Sequence, residues 1–553
     1  MRKKILILSV TLLFIIFSLS GCSGQSGQNS NTQEYVQEST DNVLKMAILI
    51  NPPKLDPVFT TDTASSRIVN QIFENLVEYD EDGNLQPLLA ESWEISEDKT
   101  EYIFHLKKGV TFHKTTEGRP TANGGREVKA DDWVWTFNYV LSPEINSPRA
   151  YLLDMIKGYQ DYQEGKSDKI AGITKLDDYT LKIELEYPFA PFLNILAFDA
   201  FSVLPKEDVE KYGTEEFNFH PVGTGPFKFE KWVQDDRIVL SKNEDYWKTD
   251  DAGNKLPYLD GIEFRVIPDP SMQWQEFKMG NFDQIENVSD AYYAEAKKLP
   301  GFIEGPTLGT YYYCFNLSKE PFKGNKALRQ AFNYAIDRQG LIDMILNGRA
   351  VPATGLLPPG IMGYDKDIEP TYNYDIEKAK ALLKKAGYPE GIDVEFVYYN
   401  TEEQEKIAQA LQAQLKPVGI NLTLRSMDPG AMLAAADKME LPFFGLGWVA
   451  DYPDPDTFLY PLLHSSNIGP GGNYSAFKND EFDDLIEKAR IETNPEKRAE
   501  LYKRAEAIAR EEAPMLFIYH YTSHILTQPY VKNAALPFLG EYSMKYTEIK
   551  LER

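Results

Sequence analysis

The stretch Gly445-Leu-Gly-Trp-Val-Ala-Asp-Tyr-Pro-Asp-Pro-Asp-Thr-Phe458 gathers the residues best suited to act on another molecule. A strand-like entry with two glycines meets Trp448. Three acids follow, Asp451, Asp454 and Asp456, spaced by prolines. Three chemistries use such a set. An EF-hand calcium loop needs a spacing and an invariant Gly that are missing here. Glycoside cleavage needs two carboxylates at a defined separation, which sequence does not give. A ligand-facing loop uses every feature: glycines admit another backbone, Trp offers a flat apolar wall, and a desolvated carboxylate pairs with a cation. A plain turn with solvated acids accounts for Asp454 and Asp456 better than for Asp451.

Other reactive residues are sparse. The histidines are His105, His113, His220, His464, His520 and His524, with no His-Glu-x-x-His among them. His520 and His524 are four apart, but Phe517-Ile-Tyr-His-Tyr521 alternates as a strand. Four strand residues span about 13 Å, too far for one metal with bonds of about 2 Å. No metal site is expected. Gly223-Thr-Gly-Pro-Phe227 lacks the Lys-Ser/Thr of a phosphate loop and leads into a strand through Phe227 and Phe229, so it reads as a structural turn. No Gly-x-Ser-x-Gly elbow occurs. Cys314 lies in the alternating run Tyr311-Tyr-Tyr-Cys-Phe-Asn-Leu317 with no activating partner nearby in sequence, and reads as a buried packing residue. Neither a cofactor nor enzyme chemistry is expected.

The N-terminus sets the compartment. Arg2, Lys3 and Lys4 precede an apolar run over residues 5–17, then Leu19-Ser20-Gly21-Cys22. A positive start, a short apolar core and small residues before a cleavage point make an export signal over residues 1–21. The run is short for a bilayer span, which needs about 20 apolar residues. Its end resembles a bacterial lipoprotein signal, in which Cys22 is acylated by palmitate-type chains after cleavage. Each buried lipid CH₂ contributes roughly 0.8 kcal/mol, so more than one chain anchors stably. Residues 22–42, rich in Ser, Gly, Gln and Asn, cannot build a core and read as a flexible tether.

Composition narrows the partners. Loss of the three leader cations takes the net charge from −26 to −29, a poor match for nucleic acid. Of two cysteines only Cys314 remains beside the acylated one, so no internal disulfide is expected. The body from about residue 43 is too long for one ordinary core.

Periodicity supplies the elements. Tyr102, Phe104 and Leu106 alternate with polar residues, as do Leu181, Ile183 and Leu185, and Val394, Phe396 and Tyr398, marking half-buried strands. Leu328, Ala331, Phe332, Ala335 and Ile336 share one helical face. Ala379, Leu382, Leu383 and Ala386 share another, with Asp375 as N-cap and Gly387 as stop. Thr401-Glu-Glu-Gln404 predicts a capping box, and Asn494-Pro495 opens a further helix. Strand 394–400, helix 401–415 and strand 421–425 form a βαβ unit.

Five stretches carry a resemblance: Leu88-Leu-Ala-Glu-Ser-Trp93, Gly223-Thr-Gly-Pro-Phe227, Asn325-Lys-Ala-Leu-Arg-Gln-Ala-Phe332, Ala335-Ile-Asp-Arg338 and Gly447-Trp-Val-Ala-Asp-Tyr452. The chain resembles the family 5 extracellular solute-binding proteins of ABC importers, most like the oligopeptide-binding lipoproteins. The resemblance implies a mixed α/β clamp of two lobes and three domains, like the periplasmic binding proteins, with a cleft closed by a hinge. Domain I would comprise 43–73, 202–311 and 518–553. Domain II, 74–201, would extend that first lobe, and domain III, 312–517, would form the second. In this family an extended peptide lies between the lobes. Main-chain hydrogen bonds give affinity and hydrated pockets absorb side-chain variety. The acid that takes the peptide amine falls on Asp451. Gly447, Trp448 and Val449 match the backbone-pairing segment, and Thr61, Asp62 and Thr63 match a facing loop. A basic anchor for the ligand carboxylate, two residues before the Gly-Trp pair in the family, is replaced by Gly445.

The expectation is a monomeric, lipid-anchored receptor on the extracytoplasmic face of the membrane. It captures short peptides and delivers them to ABC permease subunits and their ATPases. Relatives on this scaffold also bind dipeptides, oligosaccharides or nickel complexes; the scarcity of His disfavours the last. Abundant aromatics (33 Tyr, 7 Trp) would suit sugar stacking, which keeps an oligosaccharide binder as the alternative. A carboxylate-dependent surface hydrolase and a peptide-sensing receptor or adhesin are more remote readings.

Overall fold

A computed structural model describes residues 42–80, 83–470 and 472–553. The leader, Cys22 and the tether up to residue 41 lie outside the described residues. Among those described, no helix is long and apolar enough to cross a membrane.

An 11-stranded mixed sheet runs through the described body, ten strands in one path and the short strand Ala350–Pro352 paired beside Met515–Thr527. One end holds the hairpin Phe227–Val233 and Arg237–Lys242, then Gly261–Val266, Val43–Ile48 and Gln284–Glu286. The other end holds Phe443–Val449, Ile392–Tyr399 and Ile420–Met427. Two long strands join them, Phe302–Phe315 and Met515–Thr527, paired antiparallel. Their ladder is in two pieces. Residues 302–306 face 522–526, residues 310–314 face 515–520, and the register breaks between Pro306 and Thr310. A separate four-stranded sheet contains Ala90–Ile95, Glu101–Leu106, Thr180–Glu184 and Ile173–Asp177.

The apolar core divides in the same way. One cluster spans residues 308–519. The other joins residues 44–264, including the four-stranded sheet, to residues 525–549 near the C-terminus. A third, smaller cluster around Trp274, Phe277 and Phe282 lies against the first lobe's part of the sheet. Two lobes follow from the two large cores, since a chain this long cannot fill one. Tyr452 is the exception that links them. It follows the last sheet strand of the second lobe yet packs, 6% exposed, into the core of the first.

Local readings translate directly. In Glu101–Leu106 the alternating apolar residues are buried. Ile392–Tyr399 and Ile420–Met427 are parallel and joined by helix Glu402–Leu415, a βαβ unit. Asp375 caps Ile376–Lys385 through the Lys378 N–H at 2.9 Å, and Asn494 caps Pro495–Glu512 through that of Lys497 at 3.0 Å. Two details differ. Thr401 Oγ1 accepts the Gln404 N–H at 3.3 Å, but Gln404 does not complete the box. Its amide oxygen instead accepts the Tyr313 hydroxyl at 3.5 Å. Helix Lys326–Tyr334 stops before Ala335 and Ile336, because Asp337 opens a new helix, Arg338–Ile345, by accepting the Gly340 N–H.

The Gly223-Thr-Gly turn is a close approach of two backbones. A Cβ on Gly223 would lie 2.1 Å from the Ile72 carbonyl oxygen, and one on Gly225 2.6 Å from that of Gln71. No flexible side chain can yield there. Gly223→Ala should lower the unfolding free energy by about 1–3 kcal/mol, read as a shifted urea midpoint at unchanged slope.

Candidate functional site

The strand Phe443–Val449 has one partnered edge and one partly open one. It pairs with Phe302–Phe315 from Phe443↔Phe315 to Val449↔Gly309. On its other side only Phe444 pairs, with Val397. The Ala450 N–H donates to the Leu308 carbonyl at 2.8 Å. Antiparallel bonding alternates, so the even-numbered residues bond towards Phe302–Phe315 and the odd-numbered ones turn outward. No strand among the described residues pairs with the outward groups of Gly447 and Val449. Both residues are exposed.

The glycines here serve side chains. A Cβ on Gly447 would meet the Tyr521 hydroxyl at 2.3 Å, one on Gly309 the Tyr521 ring at 2.3 Å, and one on Gly445 the Tyr313 ring at 2.4 Å. The space expected to admit another backbone is thus taken, on the sheet face, by tyrosine rings. These build an aromatic wall. Tyr311 stacks on Tyr519 at 5.3 Å, and Tyr521 stands edge-on to both. The Tyr311 hydroxyl and the Trp448 indole N–H are buried without a hydrogen-bond partner. Glu403 acts electrostatically on Tyr519 and Tyr521 and sits 3.8 Å from Arg349. Burial raises the Glu403 carboxyl, and Arg349 partly offsets this.

Asp451 stands just beyond the strand, at the mouth between the lobes. Its side chain is 19% exposed, and its carboxylate accepts Nη1 of Arg149 at 3.2 Å. Arg149 comes from the first lobe, where its Nε donates to the Thr60 carbonyl at 3.4 Å and its guanidinium lies over Phe198 at 5.0 Å. Burial raises the Asp451 carboxyl above its ordinary range, and Arg149 pulls it part of the way back. The lobes also touch where the Ala190 N–H donates to the Arg490 carbonyl at 2.7 Å and where Asn194 reaches Asp454 at 3.3 Å.

Asp454 and Asp456 are not solvated, contrary to the turn reading. Asp454 takes a two-pronged guanidinium from Arg498 at 2.5 and 2.7 Å. Asp456 accepts the Tyr452 hydroxyl at 2.9 Å and lies 3.1 Å from Arg490. Helices Asp480–Ile491 and Pro495–Glu512 supply both arginines. The three acids therefore part company. Two are held by arginines of their own lobe, with Asn194 reaching Asp454 from the other, and the third takes its arginine from across.

Thr61, Asp62 and Thr63 precede and open helix Thr63–Ile72. Asp62 caps it, accepting the Ser65 N–H at 2.9 Å and the Ser65 hydroxyl at 2.8 Å. Thr61 and Thr63 are exposed. Through the Thr60 carbonyl and Arg149, this loop is brought to Asp451. Trp448 is half-buried against the second-lobe core. His520 and His524 lie on Met515–Thr527 in separate surroundings, His520 near Tyr364 and His524 against Tyr293 and Phe302. Among the described residues no cluster of ligands could hold a metal.

Sequence reasoning missed Arg149, Asp199, Tyr542 and the tyrosine wall. Asp199, Tyr542 and Asp451 line one cavity of about 80 Å³. The only local signal is at Asp199, a single acid inside the apolar run Phe198-Asp-Ala-Phe201.

Three comparisons bear on this geometry. Residues 84–470 match the family described as bacterial extracellular solute-binding proteins, family 5 middle. The chain is 33% identical over 540 residues to heme-binding protein A of Haemophilus influenzae, covering 95% of each. It is 33% identical over 514 residues to the dipeptide-binding protein of Escherichia coli, covering 90% of this chain and 92% of that one. Its structure is similar to that of the periplasmic binding protein DppA of Helicobacter pylori in complex with peptide STSA. The TM-score is 0.74 at 32% identity, with 92% of this chain and 98% of that one covered.

Asp454 and Arg498 are 1% and 5% exposed. Removing one partner of such a pair strands the other charge. Asp454→Ala should cost about 3–5 kcal/mol of stability, measured by urea unfolding.

Proposed function

Because this chain belongs to the bacterial extracellular solute-binding proteins of family 5, we propose that it is the capture component of an importer and that its guest is a short peptide. One observation carries the choice of guest. A half-open sheet edge at Gly447 and Val449 ends at a shielded carboxylate, Asp451. An extended peptide fits both features. Its main chain adds to the edge as a strand, and its ammonium reaches the acid. The unpartnered Trp448 and Tyr311 donors lie beside that edge and offer hydrogen bonds. Thr61, Asp62 and Thr63 contribute a facing wall from the first lobe. The ammonium enters where Arg149 already sits, so it shares or takes over the Asp451 carboxylate.

The guest is held by closure. Domain I (43–73, 202–311, 518–553) with domain II (74–201) forms one jaw, and domain III (312–517) the other. The chain crosses between jaws near the interrupted ladder at residues 306–310, which makes that segment the hinge. A guest drives closure by touching both jaws only in the shut state. Cys22, acylated, holds the receptor to the membrane beside the permease and ATPase subunits that accept the load. No reaction is performed on the guest.

The relatives named for heme and for dipeptides are equally similar to this chain, so identity does not choose the guest. Titration calorimetry with STSA, N-acetylated STSA, heme and an oligosaccharide mixture does. Free STSA should bind, and its N-acetylated form should bind far more weakly. Asp451→Asn should weaken free STSA by about 2–5 kcal/mol, the cost of leaving a buried ammonium unpaired. Equal binding of the free and acetylated peptides removes the role of Asp451; binding of heme or sugar with no peptide removes the guest class. Separately, Cys22→Ser should move the protein from the membrane to the soluble fraction, seen by fractionation of expressing cells.

A further inference from the structure

Asp199 is the buried acid that nothing above employs. It sits in the short turn Asp199–Phe201 of the first lobe and is 5% exposed. Neither carboxylate oxygen has a hydrogen-bond partner. The Ser66 side chain and the Ala200 N–H approach it and favour its ionised form, without the geometry of a full hydrogen bond. Yet it lines the same small cavity as Asp451, with Tyr542 and Lys545. A carboxylate withdrawn from water and left without a hydrogen bond is expensive, and structures keep few such groups without a reason.

The charges around it explain what is lacking. Glu78, Asp80, Asp199 and Asp451 line the cavity. Lys248 pairs with Glu78 at 3.2 Å, and Arg149 with Asp451 at 3.2 Å. Arg149 also acts on Asp199 at longer range. Lys545, the one cation in the lining, spends its ammonium on the Asn70 carbonyl at 2.9 Å. Asp80 is engaged by Asn84 and Gln86. Lys248, Arg149 and Lys545 are thus each engaged elsewhere, and Asp199 forms an ion pair with none of them. The cavity, about 80 Å³, has room for small polar groups such as water or an amino group.

We infer that Asp199 is a second anchor for the positively charged amino end of the guest, acting from the first lobe opposite Asp451 on the second. The inference rests on the peptide reading above and deepens it. The ammonium supplies the missing charge. With Arg149 it gives two cations to two carboxylates, one from each lobe. The amino end then touches both jaws at once, which is the contact that makes a shut state depend on the guest.

Proton linkage follows. Burial, more than anything else, raises the Asp199 carboxyl to about 6, with Ser66, Arg149, Ala200 and Lys545 opposing. The empty site therefore holds part of a proton at pH 6 and almost none at pH 8. A bound cation favours the ionised form, so binding expels that proton at pH 6. The same sign makes Asp199 a burden on folding at neutral pH, because its ionised form is the disfavoured one.

The experiment is calorimetry with STSA and N-acetylated STSA on the wild-type protein and on Asp199→Asn. It is run at pH 6 and pH 8, in buffers of different ionisation enthalpy, beside thermal melts. Expected is a loss of about tenfold or more for free STSA, little change for the acetylated form, and proton release at pH 6 that shrinks in the variant. The melting temperature should hold or rise, which a purely structural role would not give. Equal STSA affinity in wild type and variant overturns the Asp199 inference and leaves the peptide reading standing. Absence of STSA binding to the wild type overturns both. A lower melting temperature with equal loss for both peptides overturns the anchor role in favour of a structural one, and Asp199→Glu, which keeps the charge, should then fail to restore binding.

Discussion

A carboxylate taken out of water has to be answered by a positive charge, and at Asp451 the answer comes from the other lobe. Everything distinctive about the cleft follows from this. Arg149 reaches Asp451 from the first lobe, so the pair spans the cleft and ties the two lobes together. At about 15–20% exposure it is shielded enough to be worth more than a surface ion pair, and wet enough to exchange partners. A guest with an ammonium therefore does not enter an empty charge site. It competes with a built-in cation, and the affinity it gains is the difference between the two pairings.

The neighbouring acids show the contrast. Asp454 holds Arg498 in a two-pronged grip almost wholly out of solvent, and Asp456 holds Arg490 beside the Tyr452 hydroxyl. Their arginines come from their own lobe, so these pairs persist whatever the jaws do. They fix the loop from which Asp451 projects. Tyr452, planted in the opposite core, fixes it from the other side. An acid proposed to recognise a charged guest is useful only when it is held still, and the adjacent residues hold Asp451.

Much of the scaffold is legible from local pattern. The βαβ unit at 392–427 shows in its alternation and caps because each signal lies within a few residues of its effect. The export signal expected over residues 1–21 lies outside the described residues. Asp451 stands out among polar residues because a Gly-Trp strand leads into it. Its partner does not. Arg149 is 302 residues away, and nothing in its neighbourhood marks it. The fates of Asp454 and Asp456 are likewise set by arginines on distant helices, which is why they look like solvated turn residues in the sequence. The glycines of the strand mislead for a related reason. Absence of a side chain advertises that something approaches, and only the fold shows that the visitor is a tyrosine ring.

The arrangement separates affinity from identity. A half-open sheet edge offers hydrogen bonds that every peptide main chain can use, whatever its side chains. Alone, such an edge would accept strands in any register. A charge at one end removes that freedom, because only one placement puts the ammonium at the acid. The tyrosine wall beside the edge adds broad, weakly directional surface, which tolerates varied side chains better than a tight polar pocket would. In the proposed complex, carboxylates on both jaws tie the same end of the guest to both halves of the molecule, so the feature that sets register also reports occupancy. A receptor built this way can be indifferent to sequence and still distinguish a loaded clamp from an empty one.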